Sequence, residues 1–336
     1  MADAERGTVL ITGGNSGLGL ACADAIVRAA PSRTIVLASR DLERSRAAAR
    51  ALRERHPEVR IEARALDLGS LADVRAFAER FSAELRAADV PPLRALVLNA
   101  GLQFTRRTRS LDGFEATFAV NHLGHYLLAH LLLPWLAAPA RIVFVSSGTH
   151  DPAQRTGMPA PRYRGARKLA DPDDDGGDAS EALFGRRAYT TSKLCNVLCA
   201  YELSRRLEAC GRSIPEAPIT VNAFDPGLMP GTGLARDYAG WQRALWRFVL
   251  PALRVLPKVN STQASGAALA RLVVDESLDG TTRQYFEGMR AIPSSELSYD
   301  LELARELWEE SASLTGLAAA EQIGATPSAR AATSSA

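Results

Sequence analysis

Thr8-Val-Leu-Ile-Thr12, then Gly13-Gly14-Asn15-Ser16-Gly17-Leu18-Gly19, then the apolar-periodic run Leu20 to Ala30, is the stretch on which the fold of this 336-residue chain turns. A short apolar β run, a glycine-rich turn and a helix in succession are the setting in which a glycine cluster serves as a phosphate site. The glycines let backbone N–H groups approach a pyrophosphate, and the helix N-terminus then holds it. The spacing is Gly-x-x-x-Gly-x-Gly, so Gly13, Asn15, Ser16, Gly17, Leu18 and Gly19 are the candidate phosphate contacts.

Working outward, the next apolar run is Thr34-Ile-Val-Leu-Ala38, ending at Ser39-Arg40. In a dinucleotide fold an acid just after this strand hydrogen-bonds the ribose 2′-hydroxyl, whereas an arginine accommodates a 2′-phosphate. Position 39 holds no acid and Arg40 follows, which favours NADP(H) over NAD(H). The plainer alternative is that Arg40 caps a surface loop, with Asp41 beside it.

Further runs alternate: a helix over Asp41 to Arg55, a strand over Val59 to Leu66 ending in Asp67-Leu68, and a helix over Ser70 to Ala87. A strand over Leu93 to Leu98 then enters Asn99-Ala100-Gly101. A helix around Val120 to Leu136 carries Asn121, and a strand over Arg141 to Val145 ends in Ser146-Ser147. Strands alternating with helices mean right-handed βαβ units, hence an α/β, doubly wound parallel sheet of about seven strands with ligands at the strands' carboxyl ends.

Beyond these lies Tyr189-Thr190-Thr191-Ser192-Lys193. Residues four apart on a helix share a face. A phenol ordinarily titrates near ~10, and a neighbouring ammonium favours its ionised form, so the pair is a plausible acid/base unit. Taken alone, a Tyr and a Lys at this spacing are more often a half-buried ring and a solvated amine.

The ordered set Thr12-Gly13-x-x-x-Gly17-x-Gly19, Asp67, Asn99-Ala100-Gly101, Asn121, Ser147 and Tyr189-x-x-x-Lys193 resembles the short-chain dehydrogenases/reductases over nearly the whole chain. The resemblance implies that Tyr189 donates or accepts the proton, that Lys193 lowers its pKa and holds the nicotinamide ribose, and that Ser147 orients the substrate oxygen. It further implies that Asn121 anchors a water relay, that Asp67 contacts the adenine, and that Ser147 rather than Ser146 is the catalytic serine. Leu68, Asn99, Ala100, Gly101, Pro226 and Gly227 complete the implied cofactor cradle.

Within that family the chain looks closest to the branch of retinol dehydrogenases and light-dependent protochlorophyllide reductases. Ser192-Lys193-Leu194-Cys195-Asn196, the 42-residue step from Ser147 to Tyr189, and Ser298-Tyr-Asp-Leu-Glu-Leu-Ala-Arg-Glu-Leu-Trp308 carry this. The protochlorophyllide reductases place a functional cysteine directly after a Pro-Gly; here the sequence is Pro226-Gly227-Leu228, and leucine donates no proton. The family's threonine four residues beyond that glycine is Gly231 here, with Thr232 one later and expected to take its part. The expected activity is NADP(H)-dependent interconversion of a ketone or aldehyde and an alcohol on a bulky apolar substrate. The alternatives are a protochlorophyllide reductase-like C=C reductase, a non-catalytic dinucleotide-binding regulator, or a peripheral membrane protein.

Composition sets the remaining expectations. With 46% hydrophobic and 23% charged residues and a net charge of +2, the chain reads as an ordinary globular protein that does not bind nucleic acid. Cys22, Cys195, Cys199 and Cys210 lack CxxC spacing, and Cys195 and Cys199 share a helical face as buried thiols; no metal is expected. No charged-then-apolar leader opens the chain and no run is long enough to span a bilayer, so a cytoplasmic location is expected, with peripheral membrane contact and oligomerisation left open. The organisation expected is one domain over 1–316 with an insertion over 150–187, rich in Pro, Gly and Asp and either part of the active site or idle. Over 230–260 the Trp-bearing segment 238–258 reads as a packed helix, a substrate lid or a membrane-surface helix, divided by Pro251. The small, polar residues 325–336 read as a disordered tail.

Overall fold

Gly7–Thr12 form β1, buried at every position. In this computed structural model, residues 6–174, 176–229 and 260–323 are described. The glycine turn leads into α1 (Gly17–Ala29), followed by β2 (Arg33–Ser39), α2 (Leu42–Arg55), β3 (Ile61–Ala65), α3 (Leu71–Arg86) and β4 (Leu93–Leu98). Next come α4 (Gly124–Leu132), β5 (Leu136–Val145), α5 (Ala166–Ala170), α6 (Glu181–Ala209) and β6 (Ile219–Asp225). The chain closes with α7 (Thr262–Val274), β7 (Tyr285–Glu287), β8 (Arg290–Ile292) and α8 (Leu301–Leu314).

The strands form one sheet in the order β3-β2-β1-β4-β5-β6-β7-β8. Seven strands run parallel, as expected, and β8 adds a short antiparallel edge against β7. The order reverses between β1 and β4, and at such a switch point the loops leaving the strands' carboxyl ends diverge and open a ligand crevice. Successive strand residues face opposite sides: Leu10, Val36, Leu96 and Leu98 pack with Phe77, Tyr126 and Val197, whereas Ile11, Ile35, Leu37 and Val97 pack with Ile26, Leu52 and Leu269. Both faces are covered, which is why the strands read as continuous apolar runs.

Helix starts follow capping chemistry. Asp41 accepts from the Arg44 N–H, Ser70 from Asp73, Ser180 from Leu183 and Ser261 from Ala264, each satisfying a first-turn donor. Asp41 and Ser70 are therefore caps rather than first helical residues. The helix expected over 120–136 is broken: a π-helical turn spans Ala119–Leu123, α4 follows, and Pro134 lies in a 3₁₀ turn, Leu133–Trp135. β5 starts earlier than expected, at Leu136, because that residue pairs with Leu93 of β4.

The insertion, read from sequence as a surface segment either beside the active site or idle, carries secondary structure of its own. Its last residues belong to α6, which Ser180 starts two turns before Tyr189, and Phe184 buries there. Ala166 and Ala170 of α5 pack with Leu194 and Leu198 of α6 and with Ala304 and Leu307 of α8. Polar contacts add to this: the Tyr163 hydroxyl donates to the Glu306 carboxylate, and Arg167 pairs with Glu310 at 3.0 Å. The expected lid, with Trp241, Trp246 and Thr232, and the tail over 325–336 lie outside the described residues.

α7 seats on α1 through Gly266. A methyl group there would stand 2.5 Å from the Ala21 Cβ and 2.6 Å from the Ala21 carbonyl carbon. Alanine in a helix interior normally gains about 1 kcal/mol over glycine. Displacing a backbone costs about 1–3 kcal/mol, so the clash should win. Gly266→Ala is therefore expected to lower the melting temperature by several degrees in a thermal denaturation scan; an equal or higher value would mean the two helices separate without cost.

Candidate active site

Tyr189 and Lys193 lie one turn apart on α6, 6% and 3% exposed, with the Lys193 Nζ 5.6 Å from the centre of the Tyr189 ring. The ammonium donates to the Val145 carbonyl at 3.0 Å, an acceptor it shares with the Asn196 amide at 3.2 Å. Burial lowers the Lys193 pKa to about 8, with the Asp225 carboxylate acting in the opposite sense.

β5 delivers the two serines to this point, and their environments separate them. Ser146 is buried and its hydroxyl donates to the Lys193 carbonyl at 2.8 Å, fixing β5 to α6. Ser147 is half-buried in extended backbone, and among the described residues its Oγ accepts only a long 3.3 Å contact from the Thr149 N–H. Among the two, Ser147 is the hydroxyl left available to a ligand.

Asn121 sits in the π-helical turn and clamps the loop that follows β4. Its Nδ2 donates to the Leu102 carbonyl at 2.9 Å and to the Ser192 hydroxyl at 3.0 Å, while its Oδ1 accepts from the Leu102 N–H at 2.9 Å. A Cβ on Gly101 would stand 3.2 Å from the Lys193 Nζ and 3.5 Å from the Asn121 Oδ1, so Asn121, Gly101 and Lys193 converge.

The loops after β1 and β4 are knotted together. The Thr12 hydroxyl accepts from the N–H groups of Asn99 and Ala100, at 2.9 and 3.0 Å, and the Asn99 amide donates to the Thr12 carbonyl at 2.8 Å. Gly13 takes a φ of +64°, and a Cβ on Gly19 would lie 2.6 Å from the Gly13 carbonyl oxygen, so neither position accepts a side chain. Ser16 caps α1 without a side-chain hydrogen bond, so its hydroxyl takes none of the first-turn N–H groups. That donor set suits a pyrophosphate.

The remaining cradle residues fall around it. Asn15 donates to the Ser39 hydroxyl at 2.8 Å, fastening the glycine turn to the end of β2. Arg40 is exposed there and engages no hydrogen bond or ion pair among the described residues, whereas Asp41 is occupied as the α2 cap. Asp67 is half-buried, its Oδ1 accepting from the Gly69 N–H at 2.9 Å, and Leu68 is buried beneath Gly124. The Pro226 carbonyl accepts from Ser265 at 2.7 Å and from Asn260 at 3.0 Å, which holds the Pro226-Gly227 turn over α7.

Two buried residues that the motifs did not single out occupy the centre. His125 places its Nδ1 3.1 Å from the Asn121 carbonyl and its Nε2 2.9 Å from the Thr12 hydroxyl. Burial pushes its pKa down to about 3, so the ring is neutral. A carbonyl only accepts, which assigns the proton to Nδ1 and makes Nε2 the acceptor of the Thr12 hydroxyl. The four-residue spacing from Asn121 was its one legible signal. Asp225, the last residue of β6, accepts from the Gly227 N–H at 2.8 Å; its signal was an acid directly before Pro226-Gly227.

An open cleft of about 430 Å³ lies against a different face of α6, lined by Arg162, Arg164, Asp174, Asp178, Arg187 and Thr191. Its arginines pair with its aspartates, and Ser147, Tyr189 and Lys193 are not in its lining. It does not correspond to the apolar cavity expected for a bulky substrate.

The family model described as short chain dehydrogenase matches residues 7–158. Human retinol dehydrogenase 13 is 34% identical over 318 residues, 93% of this chain and 85% of that protein, and zebrafish (Danio rerio) polyprenol dehydrogenase is 32% identical over 314 residues, 92% and 86%. Among solved structures, an uncharacterized protein from Mycobacterium paratuberculosis aligns with a TM-score of 0.62 at 30% identity, covering 92% of this chain and 93% of that one. An NADPH-bound short chain oxidoreductase from Pseudomonas aeruginosa PAO1 aligns with a TM-score of 0.58 at 22% identity, covering 84% and 94%, a likeness of fold. Sequence identity along nearly the full length, on a sheet with this strand order and this Ser, Tyr and Lys constellation, establishes that the chain belongs to the short-chain dehydrogenase family and is an oxidoreductase by kinship.

Proposed function

We propose that the chain is an NADP(H)-dependent oxidoreductase that interconverts a ketone or aldehyde and an alcohol on a bulky apolar substrate. The observation that carries the reading is the Tyr189–Lys193 pair on the buried face of α6, with the accessible Ser147 hydroxyl at the end of the adjoining strand. The nicotinamide ring, when bound, gives or takes the hydride.

The chain's own groups supply the rest. The glycine turn from Gly13 to Gly19 and the N-terminus of α1 hold the pyrophosphate, Asp67 and Leu68 border the adenine, and Lys193 reaches the nicotinamide ribose. Ser147 orients the substrate oxygen. Tyr189 gives that oxygen a proton in reduction and takes it back in oxidation, and the Lys193 ammonium favours the phenolate left behind. Asn121 holds the loop after β4 beside the ammonium and anchors the proton relay.

Cofactor choice rests on Arg40, exposed and unengaged at the end of β2, with the competing Asp41 committed to its helix. NADPH-bound neighbours of the same fold are consistent with this choice. Substrate class is supported by the relatives named for retinol and polyprenol, both long apolar alcohols, and by Leu228, 44% exposed directly after Gly227. An apolar Leu228 also speaks against pigment reduction, where the resembling enzymes use a cysteine. No helix among the described residues is long and apolar enough to cross a membrane, and a cytoplasmic location is part of this proposal.

Tyr189→Phe removes the proton donor and little else. It should lower NADPH-dependent reduction of apolar ketones and aldehydes by at least ~10²-fold while leaving NADPH affinity within a few-fold, as read by fluorescence titration. A Phe variant with most of its activity would falsify the assignment.

The 2′-phosphate contact is a charge-assisted hydrogen bond worth roughly 1.5–3 kcal/mol. Arg40→Ala should therefore weaken NADPH roughly 10- to 150-fold and leave NADH nearly unchanged. Equal losses for both cofactors would mean that Arg40 does not read the phosphate.

A further inference from the structure

β6 ends on a carboxylate that the reaction outlined above does not use. Asp225 is 3% exposed, its Oδ1 accepts from the Gly227 N–H at 2.8 Å, and its Oδ2 faces Gly148 so closely that a Cβ there would be 2.9 Å away. The acid thus sits between the turn that follows Ser147 and the Pro226-Gly227 turn. Phe224, its chain neighbour, pairs across the sheet with Val145, whose carbonyl holds the Lys193 Nζ at 3.0 Å. Carboxylate and ammonium therefore occupy the ends of adjacent strands, both out of water, without a direct ion pair.

The groups around the two leave few other charges. Tyr285 and Glu287 face the carboxylate from β7, and His150 stands behind it with its ring centre 4.7 Å from that of Tyr285. Tyr189 and His125 face the ammonium. Burial holds His125 and His150 neutral and pushes the Tyr285 phenol upward, so among the described residues of this shell Lys193 is the cation and Asp225 the fully buried acid.

We propose that Asp225 is the buried counter-charge of Lys193, a positioning residue that keeps the ammonium protonated beside Tyr189 through the neutral range. The proposal rests on the proton-transfer reading given above for the site. An ammonium taken fully out of water loses its proton readily, and buried lysines without compensation titrate at about 5–6. A negative charge held nearby in a medium of low polarisability offsets that loss without touching the lysine. The directions agree: burial brings Lys193 only to about 8 while Asp225 acts upward, and burial raises the Asp225 carboxyl while the Gly227 N–H opposes. Removing the carboxylate charge must then lower the Lys193 midpoint, because the protonated form loses its attraction.

The chain has three lysines, Lys168, Lys193 and Lys258, so protein labelled with 13Cε-lysine gives three resonances, and Lys193→Met identifies the one that matters. In the unmutated protein that resonance should titrate near pH 8. In Asp225→Asn, close in shape but uncharged, the midpoint should fall by about one pH unit or more, with the circular dichroism spectrum retained. An unchanged midpoint in the folded variant overturns the proposal. Should Asp225→Asn fail to fold, the unmutated protein still decides: a Lys193 midpoint at about 5–6 would exclude any effective counter-charge. The apparent ionisation in kcat/KM for carbonyl reduction should move down in parallel. A shifted lysine resonance in a protein that turns over no ketone or aldehyde upholds the pair and sinks the carbonyl reading; turnover with an unshifted resonance does the reverse.

Discussion

The Thr12 hydroxyl is the point from which the site is hung. It accepts the N–H groups of Asn99 and Ala100 and donates to the His125 ring, whose other nitrogen donates to the Asn121 carbonyl. One buried oxygen thereby joins the ends of β1 and β4, the two strands between which the sheet order reverses, to the helical turn that carries Asn121. A hydroxyl has one proton and two lone pairs, and this arrangement uses all three. Both N–H groups are only part-buried, so each one satisfied avoids up to about 1–3 kcal/mol, the cost of a fully buried donor left without a partner.

A second constraint is charge in a dry place. Lys193 is buried among strand ends, and its ammonium is tolerable there because the Val145 carbonyl solvates it directly and the Asp225 carboxylate offsets the rest. The neighbouring histidines are neutral for the same reason that the lysine is strained toward neutrality: burial penalises the charged form. Among the described residues, Lys193 is the ammonium held against the Tyr189 ring.

The long helix α6 needs bracing on its outer side. α8 and the insertion provide it together, through the apolar contacts of Ala166 and Ala170 with Leu307 and the polar contacts of Tyr163 and Arg167 with Glu306 and Glu310. The insertion thereby packs against the helix that carries Tyr189.

By itself the sequence determined the alternation of strands and helices, the glycine turn, the Tyr189–Lys193 spacing and the family to which these point. Each of those is encoded within a turn or a strand, where apolar periodicity and cap residues act on near neighbours. Tertiary structure alone decided which serine is free, that the segment before Tyr189 is ordered, that a π-helical turn carries Asn121, and that His125 and Asp225 stand at the centre. Those outcomes depend on partners far apart in the chain: Thr12 and His125 are separated by 113 residues, Lys193 and Val145 by 48, and Tyr163 and Glu306 by 143. A side chain's burial and its hydrogen-bond partner are set where distant segments meet, and local pattern carries no record of that meeting.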